Sequence, residues 1–256
     1  MFFVLGRHKR IDFFAILWYN EDMSVQEGQG MIRSAIFTPR KRALWLLNFG
    51  VYSVIKRLLD FVFALIGLII LSPLFLIVAI LIKHEDGGKV FFRQKRTGQW
   101  GEEFEILKFR SMKEGNDVLD KSCADKHTKI GKFLRNTSID ELPQLINILR
   151  GEMSFIGPRP WIPEYYKEMV NAQKVRTLVK PGITGLAQAN GRNGITIMQK
   201  IRLDVKYVIW FSIIMDIIVI FKTIKAVVSK EDADAGKQII HDELSELRSE
   251  NKRFVV

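Results

Sequence analysis

Apolar and polar positions divide the chain into blocks of different period. Residues 61–82, FVFALIGLIILSPLFLIVAILI, hold no charged side chain over 22 positions. At the helical rise of 1.5 Å per residue this run would reach about 33 Å, enough for the hydrocarbon core of a bilayer. A helix apolar on every face over that length is expected in a membrane, not in a water-soluble core. Pro73, preceded by Ser72, lies near its midpoint, where the ring removes one backbone hydrogen bond and bends a helix. The Ser72 hydroxyl is placed to satisfy a carbonyl freed by that bend. Basic residues flank both ends, Arg40, Lys41, Arg42, Lys56 and Arg57 before the run and Lys83 after it. Neither end is depleted of positive charge as a translocated end would be. Two topologies follow: a re-entrant helix broken at Ser72-Pro73 that leaves on the face it entered, and a kinked helix that spans.

Around this run the period changes. Residues 44–59, LWLLNFGVYSVIKRLL, mix Trp45 and Tyr52 with basic residues, a composition suited to a membrane interface. Residues 207–221, YVIWFSIIMDIIVIF, are too short to span and carry Asp216, so an interfacial or core-packing helix is expected. From Lys89, the segments KVFFRQKR and FEILKFRSM flank a glycine-containing turn and predict a β-hairpin. Lys108 and Arg110 would stand at the end of its second strand. Further on, Leu142, Leu145, Ile146 and Leu149 share one helical face, and Gly151 is a natural stop. GPRP at residues 157–160 is a rigid turn holding Arg159 between two prolines. VKPGITGLAQANGRN, residues 179–193, reads as a glycine-rich loop without the spacing of a phosphate loop. The charged tail places Ile240, Leu244 and Leu247 at helical spacing, as a surface helix with an oligomer contact would. The expected fold class is α/β, mainly helical with a small β-hairpin. It divides into a leader and interfacial segment (1–52), a membrane-inserted helix broken at Ser72-Pro73 (53–85), a polar domain (86–230) and a charged tail (231–256).

Charge narrows the partners. Thirty-nine Lys and Arg against 28 Asp and Glu give a net charge of +11, which calls for a polyanionic partner. Nucleic acid is disfavoured, since no nucleic-acid-binding motif or basic–aromatic stacking pattern is present. Anionic lipid and phosphorylated substrates remain. One cysteine excludes an internal disulfide, and four histidines without ligand spacing make a zinc site unexpected.

The candidate chemistry centres on SIDELPQ, residues 138–144, where Asp140 and Glu141 adjoin. Ser138 and Glu141 formally make a capping box, but Pro143 would then fall deep enough in the helix to break a hydrogen bond. With Asp140 as the cap, Pro143 is the third helical residue, whose N–H is unpaired in any case. A carboxylate at the positive end of a helix dipole, near Lys132 and Arg135, is expected to be ionised. Such a group can bind Mg²⁺ or attack phosphorus. Capping alone accounts for Asp140, though not for Glu141 or for the basic residues gathered nearby.

Six short motifs in order extend the reading: KRLLD, SP within the apolar run, RTGQWGEEFEILKFRSM, SIDELPQLINILRGEMSFIGPRP, KPGITGLAQANGRN and LDVKYV. Together they resemble the bacterial sugar transferases that are monotopic polyprenol-phosphate phosphoglycosyl transferases, in their compact form. The resemblance implies transfer of a sugar 1-phosphate from a UDP-sugar to undecaprenyl phosphate, with release of the nucleoside monophosphate. It makes Asp140 the nucleophile and a Mg²⁺ contact, and Glu141 its partner in the dyad. Lys108, Arg135, Arg159 and Arg192 become phosphate or nucleotide contacts. It places the protein in the bacterial inner membrane with the active site facing the cytoplasm, and makes the Ser72-Pro73 bend the break of a re-entrant helix. The competing expectations are a membrane-anchored phosphohydrolase and a non-enzymatic membrane-tethered binder.

Overall fold

The computed structural model describes residues 39–113, 128–191, 194–228 and 240–253. Arg192, the leader before residue 39 and the tail segment 229–239 fall outside them. The described residues open on α1 (Pro39–Asp86), 48 residues long with Pro73 inside it. The helical assignment runs through Ser72-Pro73. Proline lacks the N–H that would bond the carbonyl of Ile69, and the Ser72 hydroxyl donates to that same carbonyl at 2.8 Å. The side chain restores the ladder bond that the ring removes. By length and composition α1 can cross a membrane, and it is the one such helix among the described residues. Its outward residues, such as Val54, Leu58, Ile69, Ile70 and Leu76, leave large apolar side chains exposed, as a membrane-associated helix requires.

The hairpin forms as expected. β1 (Phe91–Thr97) and β2 (Glu103–Phe109) pair antiparallel with Phe92 opposite Lys108 and Arg96 opposite Phe104. α2 (Lys129–Asn136) follows, its first turn capped by the Thr128 hydroxyl, which accepts from Gly131 N–H at 2.9 Å. The Glu85 carboxylate, from the end of α1, accepts from Lys129 and Ile130 N–H at 2.6 and 3.2 Å. α3 (Gln144–Arg150) ends at Gly151, whose φ of 82° fits the left-handed stop. Its buried face is Gln144, Leu145, Asn147 and Ile148, not the expected set of Leu142, Leu145, Ile146 and Leu149. The polar Asn147 turns inward because its amide joins the edge of β2. Leu107 N–H donates to its Oδ1 at 3.0 Å, and its Nδ2 donates to Glu105 O at 2.7 Å.

β3 (Ser154–Ile156) pairs in parallel with β4 (Gly182–Thr184). The glycines around this pair serve backbone contact. A Cβ at Gly182 would lie 2.1 Å from Gly157 N, and one at Gly157 would lie 2.3 Å from Lys180 O. The chain also forms short helices α4 (Pro163–Glu168), α5 (Asn171–Lys174) and α6 (Leu186–Ala189). The run at 207–221 is not one helix. α7 (Ile197–Ile209) ends inside it, and α8 (Ile213–Val228) starts after Ser212, whose hydroxyl accepts from Met215 N–H at 3.3 Å. The tail helix α9 (Ile240–Arg253) packs one face on its own chain. Leu244 and Leu247 are buried, and Glu243 accepts from Tyr165 and Lys200 at 2.7 Å each.

Three apolar clusters make the core. The largest gathers Ile156, Ile197, Ile201, Val205, Tyr207 and Leu247. The other two are built around α1: Ala64 with Ile106, Leu145, Ile148 and Met153, and Val78 and Ile82 with Phe109 and Leu134. Polar contacts tie α1 to the same body on either side of its apolar run. Arg57 donates to the carbonyls of Ile148 and Leu149, Asp60 accepts from Phe155 N–H at 3.1 Å, and Asp86 pairs with Arg110.

Candidate active site

The acid pair sits on a single 3₁₀ turn, Ile139–Glu141, entered through Ser138 in the left-handed region at φ 57°. The turn leads directly into α3. Leu145 N–H bonds Leu142 O and Ile146 N–H bonds Pro143 O, each at 3.0 Å. Asp140 is therefore not the cap of α3, as the spacing had suggested. Pro143 itself stands at the N-cap, where its missing N–H is not needed. Ile139 anchors the turn against the Val78–Phe109 cluster, and Asn147, one turn into α3, ties the helix to β2. The acids are thus held on a rigid element between the hairpin and α1.

The two carboxylates sit in different environments. Among the described residues no hydrogen bond or ion pair reaches the Asp140 carboxylate, although the residue is only 8% exposed. Burial pushes its pKa above the ordinary carboxylate value. Glu141 adds to the rise, while Lys108, Arg135 and Arg159 work against it. This reverses the expectation of a carboxyl held low by a helix dipole, because burial outweighs the neighbouring cations. Glu141 is saturated instead. Lys108 Nζ and Arg159 Nη2 both donate to its Oε1, at 2.6 and 3.0 Å. Burial works to raise the Glu141 carboxyl, but the Arg159 and Lys108 cations overcome it and hold it down to about 2. Burial in turn lowers the Lys108 ammonium.

A cleft of about 900 Å³ opens beside Asp140, lined by Lys89, Arg93, Arg96, Lys108, Arg110 and Arg135 among others. Of the expected site residues, the fold brings Asp140, Glu141, Lys108, Arg135 and Arg159 together, while Arg192 lies outside the described residues. Ser72 and Pro73 belong to α1.

Three contributions went unread in the sequence. Arg96 lines the cleft with its Nη2 on Gln94 at 2.5 Å and its Nη1 on Pro160 O at 3.4 Å, and its buried Nε has no partner. Burial, reinforced by Arg159, lowers its pKa to about 10. Strand alternation carries the signal for it, since the register puts Arg96 and Lys108 on one face of the hairpin. Asn147 fixes α3, as above. Arg176 donates to Asp204 Oδ2 through Nε and Nη2 at 3.0 and 2.7 Å, to Arg159 O at 2.6 Å, and lies 3.9 Å over the Trp161 ring. It thereby clamps the GPRP turn that presents Arg159 to Glu141. Nothing local to the sequence pairs Arg176 with Asp204.

A rigid carboxylate without a partner, in a buried cationic cleft, can attack or ligate a phosphorylated group. No group of three His, Cys, Asp or Glu that could hold a metal ion occurs among the described residues. A hard cation here would rest on Asp140, with substrate phosphate oxygens and water completing its shell, the usual mode for Mg²⁺.

The bacterial sugar transferase family model matches residues 51–230. An exopolysaccharide production protein, ExoY of Sinorhizobium fredii, is 39% identical over 194 residues, 68% of this chain and 86% of the relative. The UDP-glucose:undecaprenyl-phosphate glucose-1-phosphate transferase of Escherichia coli is 40% identical over 187 residues, 68% of this chain but 40% of that longer relative. The galactosyl transferase CpsE of Streptococcus agalactiae is 41% identical over 201 residues, 71% of this chain and 44% of the relative. The matched span contains the hairpin, the acid turn, the GPRP loop and the helices that support them, and the chain belongs to the bacterial sugar transferase family, enzymes of the transferase class.

Proposed function

We propose that the protein transfers a sugar 1-phosphate from a UDP-sugar to undecaprenyl phosphate, as an initiating step of surface polysaccharide synthesis. The observation that carries this is the partner-free Asp140 carboxylate at the wall of a cationic cleft, held on a turn that packs against the apolar helix α1. Asp140 Oδ attacks the phosphorus next to the sugar. The bridging P–O bond breaks and UMP leaves with the bond's electron pair, giving a phosphosugar carried on Asp140. A phosphate oxygen of the lipid then attacks that phosphorus, forming the lipid diphosphate sugar and returning Asp140 as a carboxylate.

The cations act by position. Lys108, Arg135, Arg159 and Arg192 are proposed contacts for the diphosphate and nucleotide, and Arg96 joins them. Glu141 holds Lys108 and Arg159 at a fixed spacing, so their charge needs little reorganisation when the phosphorus is attacked. Mg²⁺ is the proposed cofactor, held at Asp140, and when bound it neutralises charge on the diphosphate.

The membrane side follows from α1. Contacts at Arg57 and Asp60, and again at Glu85 and Asp86, bind both parts of the helix to one polar domain. This supports an anchor with the domain and both ends of α1 on one side, the cytoplasmic face of the inner membrane, where UDP-sugars are made available to it. The test is UMP release from UDP-glucose and UDP-galactose, with and without undecaprenyl phosphate. Lipid-dependent release is expected, and Asp140→Asn should reduce it at least about a thousandfold without changing membrane sedimentation or melting temperature. Lipid-independent release would indicate a hydrolase, and substantial turnover by the variant would remove Asp140 as nucleophile.

A further inference from the structure

Away from the cleft, a second concavity of about 490 Å³ lies between α1 and α8, within the size range of small-molecule pockets. Its walls are Leu59 and Phe63 of α1, Phe155 and Ile156 of β3, and Ile217 and Ile220 of α8. Polar groups also border it, but they are occupied with one another. Asp216 accepts from Tyr52 and Tyr207 at 2.6 Å each and pairs with Lys56. Asp60 holds Phe155 N–H, and the Thr184 and Thr223 hydroxyls bond each other at 2.8 Å. What the groove offers a ligand is therefore hydrocarbon contact.

Two observations select the occupant. Apolar side chains that line the groove are themselves exposed on both helices, among them Leu59 and Phe63 of α1 and Ile213, Ile217 and Ile224 of α8. The groove consequently opens toward whatever hydrocarbon covers those faces. In addition, Phe155 and Ile156, which line it, lead directly through Gly157 and Pro158 to Arg159, the cation paired with Glu141. A molecule with an anionic phosphate at the acid turn and a long apolar chain has a path along β3 into this groove.

We propose that the groove between α1 and α8 is the seat of the isoprenoid chain of the lipid acceptor, so that the protein selects its acceptor by chain length as well as by phosphate. This rests on the acceptor being a polyprenyl phosphate, as proposed above. The groove is a site for a linear isoprenoid, and the buried Lys56–Asp216–Tyr207 network ties the helices that wall it to one another.

The test compares undecaprenyl phosphate with a two-isoprene prenyl phosphate in detergent, using wild type, Ile217→Trp and Ile218→Trp. Ile217 lines the groove and Ile218 does not. Ile217→Trp is expected to raise KM for undecaprenyl phosphate at least about tenfold, the loss anticipated when roughly two buried methylene groups are expelled. KM for the short acceptor and for the UDP-sugar should hold, which also shows that the variant is folded. Ile218→Trp should resemble wild type with both acceptors. Equal behaviour of the two variants, or an equal effect on both acceptors, would overturn the proposal. Photocrosslinking with a diazirine-bearing polyprenyl phosphate gives a readout independent of turnover. Labels on residues 155–156 and 213–224 support the groove, and labels spread over the exposed faces of α1 refute it. Wild type that crosslinks there but turns over neither acceptor would retain the groove and reject the proposed reaction.

Discussion

Replacing Arg176 by methionine isolates a buried charge beneath the active-site loop. Arg176 and Asp204 are 3% and 1% exposed, and both Arg176 bonds to the carboxylate converge on Asp204 Oδ2. Methionine preserves much of the volume but leaves Asp204 charged, dry and unpaired. Breaking one side of a buried pair costs about 3–5 kcal/mol. The Arg159 carbonyl loses its donor, and Trp161 loses a guanidinium stacked at 3.9 Å, together about 1–3 kcal/mol more where water does not replace them. These terms overlap, so about 4 kcal/mol is expected, a fall in melting temperature of roughly 8–16 °C for a chain of this size. Thermal unfolding in detergent, followed by tryptophan fluorescence, measures it. The double variant Arg176→Met/Asp204→Asn should recover part of the loss, because the amide carries no charge to strand. A single variant within about 3 °C of wild type, or a double variant less stable than the single, would refute the account of Arg176 as the partner that makes Asp204 tolerable.

Further outcomes follow from the site. UMP release should fall on acidification with a midpoint above the ordinary aspartate value, since Asp140 is pushed up by burial and attacks only when ionised. Lys108→Met should move that midpoint to still higher pH, because Lys108 is the largest influence opposing the rise, and a midpoint that moves down would contradict the assignment. Asn147→Ala removes the bonds to Leu107 N–H and Glu105 O and should destabilise by about 2–4 kcal/mol, read as a lower melting temperature with reduced turnover. Arg96→Met should raise KM for the UDP-sugar about tenfold, equivalent to one charge-assisted contact, with KM for the lipid unchanged.

What could be read in advance was local. The hairpin follows from alternation around a glycine turn, the end of α3 from Gly151, and the importance of SIDELPQ from two acids placed before a proline. The errors came where partners distant in sequence decide the outcome. Asp140 was expected to cap a helix and stay acidic, yet the chain enters α3 through Pro143, and burial raises the carboxyl. Asn147 breaks the apolar face of α3 because an unpaired edge of β2, forty residues earlier in the chain, needs its amide. Ser72 was legible, by contrast, because the carbonyl its hydroxyl satisfies lies three residues away on the same helix. The turn at residues 210–212 divides a run that looked uniform, and its position is set by Ser212 and by how Phe211 packs against Phe49, Tyr52 and Tyr207.

Two of the three apolar clusters draw residues from α1, Ala64 in one and Val78 and Ile82 in another. The anchor is therefore a structural wall of the catalytic domain, not an appendage to it. The hairpin and α3 close their apolar clusters only with side chains that α1 supplies. A version trimmed before residue 86 to make a soluble enzyme would expose Leu145, Ile148, Phe109 and Leu134 to water. Engineering toward solubility would have to recolour the outer face of α1 and leave the helix itself in place.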